Sequence, residues 1–268
     1  GDAMTFLQAI FLVIVQGLTE FLPVSSSGHL VLARTLLGIQ TEPLIMEVIL
    51  HLGTLIAVLL VFYKYIIALF RHPLGKTMRL LVIATIPAVI ATLLLDNLIE
   101  EAFGGRFLSF GFLITAVLLC IAERKQVRRP RKYRQMNNWD ALAMGGMQAV
   151  AMFPGVSRSG STLVGGLFRG LDRNLAVRFS FLMSIPAILG SVVFKFKDMI
   201  TQGPGDVSTV AIIFSVLVSA LVGLMSIRFM LRLVRNHKLY GFAIYVACMG
   251  VFVLVCQLFG VLFPPLFG

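Results

Sequence analysis

Apolar positions in this chain do not alternate with polar ones but gather in long runs, at about 45–70, 78–98, 107–122, 174–198, 207–232 and 239–263. A hydrocarbon core of ~30 Å needs ~20 apolar residues in helical form, so these runs predict six transmembrane helices. Four further apolar stretches are too short to cross. They come in two pairs: 5–18 with 30–38, split by Pro23-Val24-Ser25-Ser26-Ser27-Gly28, and 139–152 with 161–169, split by Pro154-Gly155-Val156-Ser157-Arg158-Ser159-Gly160. Non-helical backbone at membrane depth is tolerated only where protein or a water-filled cavity satisfies its polar groups. Each pair therefore predicts a re-entrant helical hairpin lining a cavity, with interfacial helices and an ordinary loop as the weaker alternative.

The two pairs are related. Gln16, Phe21, Val24, Ser25, Ser27 and Gly28 recur without a gap as Gln148, Phe153, Val156, Ser157, Ser159 and Gly160, an offset of 132. The same offset carries Gly38 onto Gly170, Ile56 onto Ile188 and Val61-Phe62 onto Val193-Phe194. Such self-similarity marks two copies of one unit. Repeat one runs over about 4–123 and repeat two over about 138–263, within a single membrane domain of 1–268.

Charge then orients the halves, because Lys and Arg concentrate in cytoplasmic loops. If the first hairpin opens from one side, the crossings put Arg71, Lys76, Arg79, the basic loop 124–137, Arg169, Arg173, Arg228, Arg232, Arg235 and Lys238 on the opposite side. Asp96, Glu100, Glu101 and Asp206 fall with the first hairpin. The basic side reads as cytoplasmic, so hairpin one enters from outside and hairpin two from the cytoplasm. That is an inverted-topology repeat, whose functional sites lie where the halves meet. Lys195 and Lys197, near the outer end of their helix, fit this pattern poorly.

Composition agrees with a bilayer: 58% of residues are hydrophobic and 13% charged, against ~25% charged in ordinary soluble domains. The net charge of +11 lies between apolar runs rather than on one hydrophilic module, which excludes nucleic acid as the expected partner and leaves membrane lipids. Cys120, Cys248 and Cys256 sit within apolar runs without metal-ligand spacing and read as packing residues. No basic segment followed by a small-residue cleavage site opens the chain, so no cleaved signal peptide is expected.

The breaks carry the chemistry. Gln16 and Glu20 share one face of a short helix, followed by Ser25, Ser26, Ser27, Gly28 and His29. The serines could serve only as helix caps, but capping explains neither Glu20 nor His29. An ionisable side chain costs at least ~2.5 kcal/mol at the centre of a lipid-facing helix, which makes both functional candidates. His51 reads as a packing histidine and Glu47 as either interfacial or functional. In the second break, Ser157, Arg158, Ser159, Gly160, Ser161 and Thr162 combine helix N-terminal N–H groups, hydroxyls and a guanidinium, the parts of a phosphate site. Glu20 and the Gln16 amide, joined by phosphate oxygens and water, would suit a divalent cation, Mg²⁺ or Ca²⁺.

These residues resemble the undecaprenyl-diphosphate phosphatase family, also called the bacitracin-resistance protein family. Its motif E/Q-G-x-x-E-F-x-P-V-S-S-S/T-G-H is similar to Gln16 through His29, and its P-G-x-S-R-S-G motif to Pro154 through Gly160, continued by Ser161 and Thr162. A linking stretch resembles Glu47-Val48-Ile49-Leu50-His51-Leu52-Gly53-Thr54, so the likeness spans the chain. Gln16 stands where many members have a first Glu, leaving Glu20 as the main anionic ligand.

The resemblance implies hydrolysis of a polyprenyl diphosphate, undecaprenyl diphosphate, to the monophosphate and inorganic phosphate at the outer face of the bacterial inner membrane. That reaction recycles the lipid carrier of peptidoglycan synthesis. Ser26 is the expected nucleophile and His29 its general base or a later acid, with His29 or water as alternative nucleophiles. Glu20 and Arg158 complete the expected catalytic set. Ser25, Ser27, Gly28, Ser157, Ser159, Gly160, Ser161, Thr162 and Glu47 are the expected substrate contacts, and a homodimer is a candidate assembly. Two rivals remain. One is a metal-independent lipid phosphatase, but Val164 stands where that class needs a histidine. The other is a lipid-phosphate or ion transporter built on the same inverted repeat.

Overall fold

The computed structural model describes residues 5–39, 44–125, 129–202, 209–236 and 238–265. Arg128 and Asp206 lie outside the described residues, as do the side chains of Asp96, Glu100 and Lys197. The chain folds into helices α1 (Phe6–Thr19), α2 (Ser26–Leu36), α3 (Leu44–Arg71), α4 (Lys76–Ala102), α5 (Leu108–Arg124), α6 (Asn138–Val150), α7 (Arg158–Phe168), α8 (Arg173–Gln202), α9 (Thr209–Asn236) and α10 (Tyr240–Leu258). Among the described residues there is no strand, only an isolated bridge between Arg131 and Leu171.

Five helices are long and apolar enough to cross a bilayer, over Ile45–Arg71, Lys76–Leu95, Arg173–Val193, Val210–Arg235 and Tyr240–Leu258. Together they make this a multi-pass membrane protein. The run expected at 107–122 forms α5, whose 17 residues reach about 26 Å at 1.5 Å per residue. Its length sits at the lower edge of what spans, which is why it stands apart from the other five. Large apolar side chains cover the outside, Leu93, Leu94 and Val210 among them, as a chain solvated by lipid requires.

Local chemistry sets the helix boundaries. Thr5 and Gln8 form a capping box at the start of α1, and Asn137 and Asp140 form one at the start of α6. Ser25 and Ser157 cap α2 and α7 by accepting from the N–H groups of Gly28 and Gly160, each satisfying an otherwise orphaned donor. The 132-residue offset moves the starts of α1, α2 and α5 onto those of α6, α7 and α10. The packing partners swap accordingly: α1 lies on α9 and α6 on α4.

Small residues let these helices approach closely, as in membrane interfaces generally. A Cβ on Gly53 would collide with Ser219 across the α3–α9 contact, and one on Gly145 with the Ala84 carbonyl across α4–α6.

Hydrogen bonds gather the basic helix ends into one face. Lys76 donates to the carbonyls of Tyr133 and Arg134, and Lys125 to that of Phe168. Glu123 holds Arg173 with both oxygens and accepts from the Leu239 N–H. Asp140, wholly buried, pairs with Arg131 and Arg169 at 2.7 and 2.9 Å. At the opposite end, Gln257 donates to the carbonyls of Gly105 and Arg106. Lys195, the outlier of the charge pattern, pairs there with Glu47 at 2.8 Å.

Burial opposes ionisation of Asp140, but hydrogen bonds from Arg131, the Asn137 N–H and Arg169 outweigh it and hold the carboxyl below its ordinary range. A carboxylate with a depressed folded pKa contributes stability at pH values above its unfolded pKa, and loses it as pH falls through the folded value. Asp140→Asn should therefore lower thermal stability by about 2 kcal/mol near neutral pH. The gap to wild type should narrow in a melting series taken below pH 4.

Candidate active site

Glu20 closes the last turn of α1 and lies 7% exposed. Its carboxylate collects three donors from both halves of the chain. Ser26 Oγ, at the first position of α2, donates to Oε2 at 2.6 Å, and Gln16 Nε2 to the same oxygen at 3.1 Å. From the second half, Arg158 Nη2 donates to Oε1 at 2.8 Å. The guanidinium stands at the first position of α7, where Ser26 stands in α2.

Close packing brings the two breaks together. A Cβ on Gly28 would meet the Phe112 ring and the Gly155 backbone, and one on Gly160 would meet Pro23 at 3.2 Å. Ser159 Oγ crosses to donate to the Leu22 carbonyl at 2.7 Å. Gly155 supplies a backbone that other residues rarely adopt, with φ +86° against the Leu108 carbonyl and the Phe112 N–H of α5. Two helix N-termini, each carrying serine hydroxyls, thus converge beside one arginine. Anions are stabilised in such a place by the backbone N–H groups and the helix dipoles.

Ser25 has φ +71° and ψ +97°, a region costly for a residue with a side chain. Its repeat counterpart Ser157 is ordinary, with φ −73° and ψ 119°. The strain is confined to the break that carries Ser26. Ser25 Oγ also lies 3.3 Å from Ser27 Oγ, as Ser157 Oγ does from Ser159 Oγ.

His29 is held away from Ser26. Its Nδ1 pairs with the Ser25 carbonyl at 2.8 Å, and its Nε2 with Tyr245 Oη at 2.8 Å. The ring stacks on Tyr245 and meets Phe112 edge-on. The group in direct contact with the Ser26 hydroxyl is therefore Glu20. Tyr245 escaped the sequence reading because it lies 216 residues from His29, in a helix whose apolar run gives no polar signal. Tyr245→Phe should preserve the stack but free Nε2, with turnover falling less than about tenfold, the scale of one neutral hydrogen bond. Steady-state rates and the histidine ring NMR signals would check this.

Other expected contacts divide into two groups. Thr162 donates to the Arg158 carbonyl and pairs with Ser180, bracing the start of α7. Ser161 Oγ, Arg158 Nη1 and both amide atoms of Gln148 are buried without partners. Glu47 is not joined to the cluster: it pairs with Lys195, and its carbonyl accepts from His51 Nδ1 if that nitrogen carries the proton.

A divalent cation of the Mg²⁺ or Ca²⁺ kind would need oxygen ligands here. No three His, Cys, Asp or Glu side chains gather among the described residues, and Glu20 is already engaged through both oxygens. Mg²⁺ is commonly held by one or two carboxylates plus substrate phosphates. One carboxylate beside an anion site fits a cation that arrives with the phosphate oxygens.

A family model described as bacitracin resistance protein BacA matches residues 9–252. Curated relatives match almost end to end. Undecaprenyl-diphosphatase 4 of Bacillus thuringiensis subsp. konkukian is 39% identical over 255 residues, covering 95% of this chain and 98% of its own. The undecaprenyl-diphosphatases of Carboxydothermus hydrogenoformans and Alkaliphilus metalliredigens are 38% and 39% identical, covering 96% and 95% of this chain and 99% and 100% of their own. With Glu20, Ser26 and Arg158 drawn from two matching halves into one cluster, and with likeness of this extent, the chain belongs to the bacitracin resistance protein BacA family.

Proposed function

We propose that this chain is a membrane phosphatase that hydrolyses undecaprenyl diphosphate to undecaprenyl phosphate and inorganic phosphate, recycling the lipid carrier of cell-wall synthesis. The observation that carries the reading is the Arg158 guanidinium. It is 16% exposed, tied to Glu20 through Nη2, and its Nη1 is buried without a partner at the junction of two helix N-termini. A buried donor left unmatched is costly, and a phosphoryl oxygen would match it.

Ser26 Oγ attacks the terminal phosphorus while Glu20 takes its proton over the 2.6 Å contact. The bond from that phosphorus to the bridging oxygen breaks, and the lipid monophosphate leaves with the electron pair. Arg158 and the N–H groups at the starts of α2 and α7 stabilise the equatorial oxygens. Water then attacks the Ser26 phosphoester, the phosphorus–Oγ bond breaks as Glu20 gives its proton back to Ser26 Oγ, and both protons of the water leave with the inorganic phosphate. His29, positioned by Ser25 and Tyr245, orients the start of α2. Glu20 and the Gln16 amide oxygen would hold Mg²⁺ or Ca²⁺, which supplies charge neutralisation for the diphosphate.

We read α5 as a sixth crossing and the two broken-helix pairs as re-entrant hairpins of an inverted repeat, an arrangement in which the cluster would face the outer side of the plasma membrane. The gathering of basic ends at the opposite face supports that placement. Phosphate release by purified protein after chelation, then after adding back Mg²⁺ or Ca²⁺, tests the reading. Release should fall at least tenfold on chelation and recover. Absence of release under every metal condition would reject the phosphatase in favour of a transporter.

A further inference from the structure

A cleft of about 350 Å³ opens between α8 and α9 at the basic end, lined by Asn174, Arg178, Leu231, Arg232 and Arg235. It shares no lining residue with the Glu20 cluster: three guanidiniums and one amide line it, and no carboxylate does. Arg178 is anchored by donating to Tyr65 Oη of α3 at 3.0 Å, and Arg228 precedes Arg232 by one turn of α9.

Positive charge at a cytoplasmic end needs no special explanation, because topology alone favours it. Here the neighbours make the difference. Asp140 is consumed by Arg131 and Arg169 and Glu123 by Arg173, while Asp172 caps the start of α8 by accepting from the Asn174 and Leu175 N–H groups. Among the described residues, no carboxylate pairs with Arg178, Arg232 or Arg235. Three like charges turned toward one concavity repel each other unless an anion joins them.

The cleft also sits at headgroup level. Arg235 ends one apolar span and Asn174 follows the first residue of another. Along α9 toward the bilayer, Leu221, Met225 and Phe229 are all more than half exposed and offer a surface to acyl chains. Basic pockets between transmembrane helices on this side suit phosphate-bearing headgroups, and arginine forks match phosphate oxygens in pairs.

We propose that this cleft binds the phosphodiester headgroup of an anionic membrane lipid, at a site separate from the catalytic cluster. Free phosphate shares the chemistry, but the exposed apolar stripe on α9 favours a ligand with chains. The test is native mass spectrometry of the full-length protein titrated with phosphatidylglycerol, phosphatidylcholine or inorganic phosphate. Arg178→Gln/Arg232→Gln/Arg235→Gln should weaken phosphatidylglycerol at least about tenfold, leave phosphatidylcholine unchanged, and keep phosphatase turnover in zwitterionic micelles.

Lysine at all three positions should retain part of the affinity, since charge persists without the fork. If the triple variant fails to fold, Arg232→Gln and Arg235→Gln singly, both at exposed positions, should each weaken binding two- to threefold. Equal phosphatidylglycerol affinity in wild type and a folded glutamine variant would overturn the site. Displacement of the lipid by an equal concentration of inorganic phosphate would overturn its assignment to a lipid.

Discussion

Replacing Ser26 with alanine is expected to abolish at least about 10³-fold of phosphate release while leaving the protein folded, because removal of an activated nucleophile forfeits the covalent route. Ser26 is half-buried, and the change to alanine removes one oxygen atom and keeps Cβ. The substitution removes one donor from Glu20, but Gln16 and Arg158 remain on that carboxylate. Thermal stability should therefore shift by only about 1 kcal/mol. Near-normal turnover in a folded Ser26→Ala protein would reject the serine mechanism and leave water as the nucleophile beside Glu20.

Arg158→Ala is expected to cost both chemistry and stability. Donors aimed at developing phosphoryl charge are worth about 10²- to 10³-fold each, and here the same side chain also neutralises Glu20. Breaking a buried pair by removing one partner costs about 3–5 kcal/mol, since the remaining charge is left uncompensated. Arg158→Lys should restore much of the stability but less of the rate, because an ammonium balances Glu20 without presenting a second donor in the plane of Nη1. Parallel melting curves and phosphate-release rates for the two variants separate these roles.

Much of this site is legible from sequence because its parts are local. Ser25 and Ser157 announce helix starts, Pro23 and Pro154 announce breaks, and the 132-residue offset says that one break is a copy of the other. The repeat alone brings the breaks that carry Glu20 and Arg158 toward each other. It does not give the bond pattern. His29, three residues from Ser26, looks like its base, yet backbone geometry at Ser25 and the distant Tyr245 claim both ring nitrogens. Glu47 carries a family-like motif but spends its charge on Lys195. The apolar run at 107–122 does locate a helix: α5 covers Leu108–Arg124, starting after the Gly104–Gly105 turn.

On the reading proposed above, one phosphoryl-transfer site is shared by the two halves of the chain, joined through Glu20 and Arg158. A double-mutant cycle on kcat/KM for phosphate release, using Glu20→Gln, Arg158→Ala and the pair together, tests it most directly. Residues serving one transition state lose their effects together, so the double variant should fall within about tenfold of the worse single variant. Losses that multiply independently, or a wild-type protein that releases no phosphate from undecaprenyl diphosphate, would contradict it.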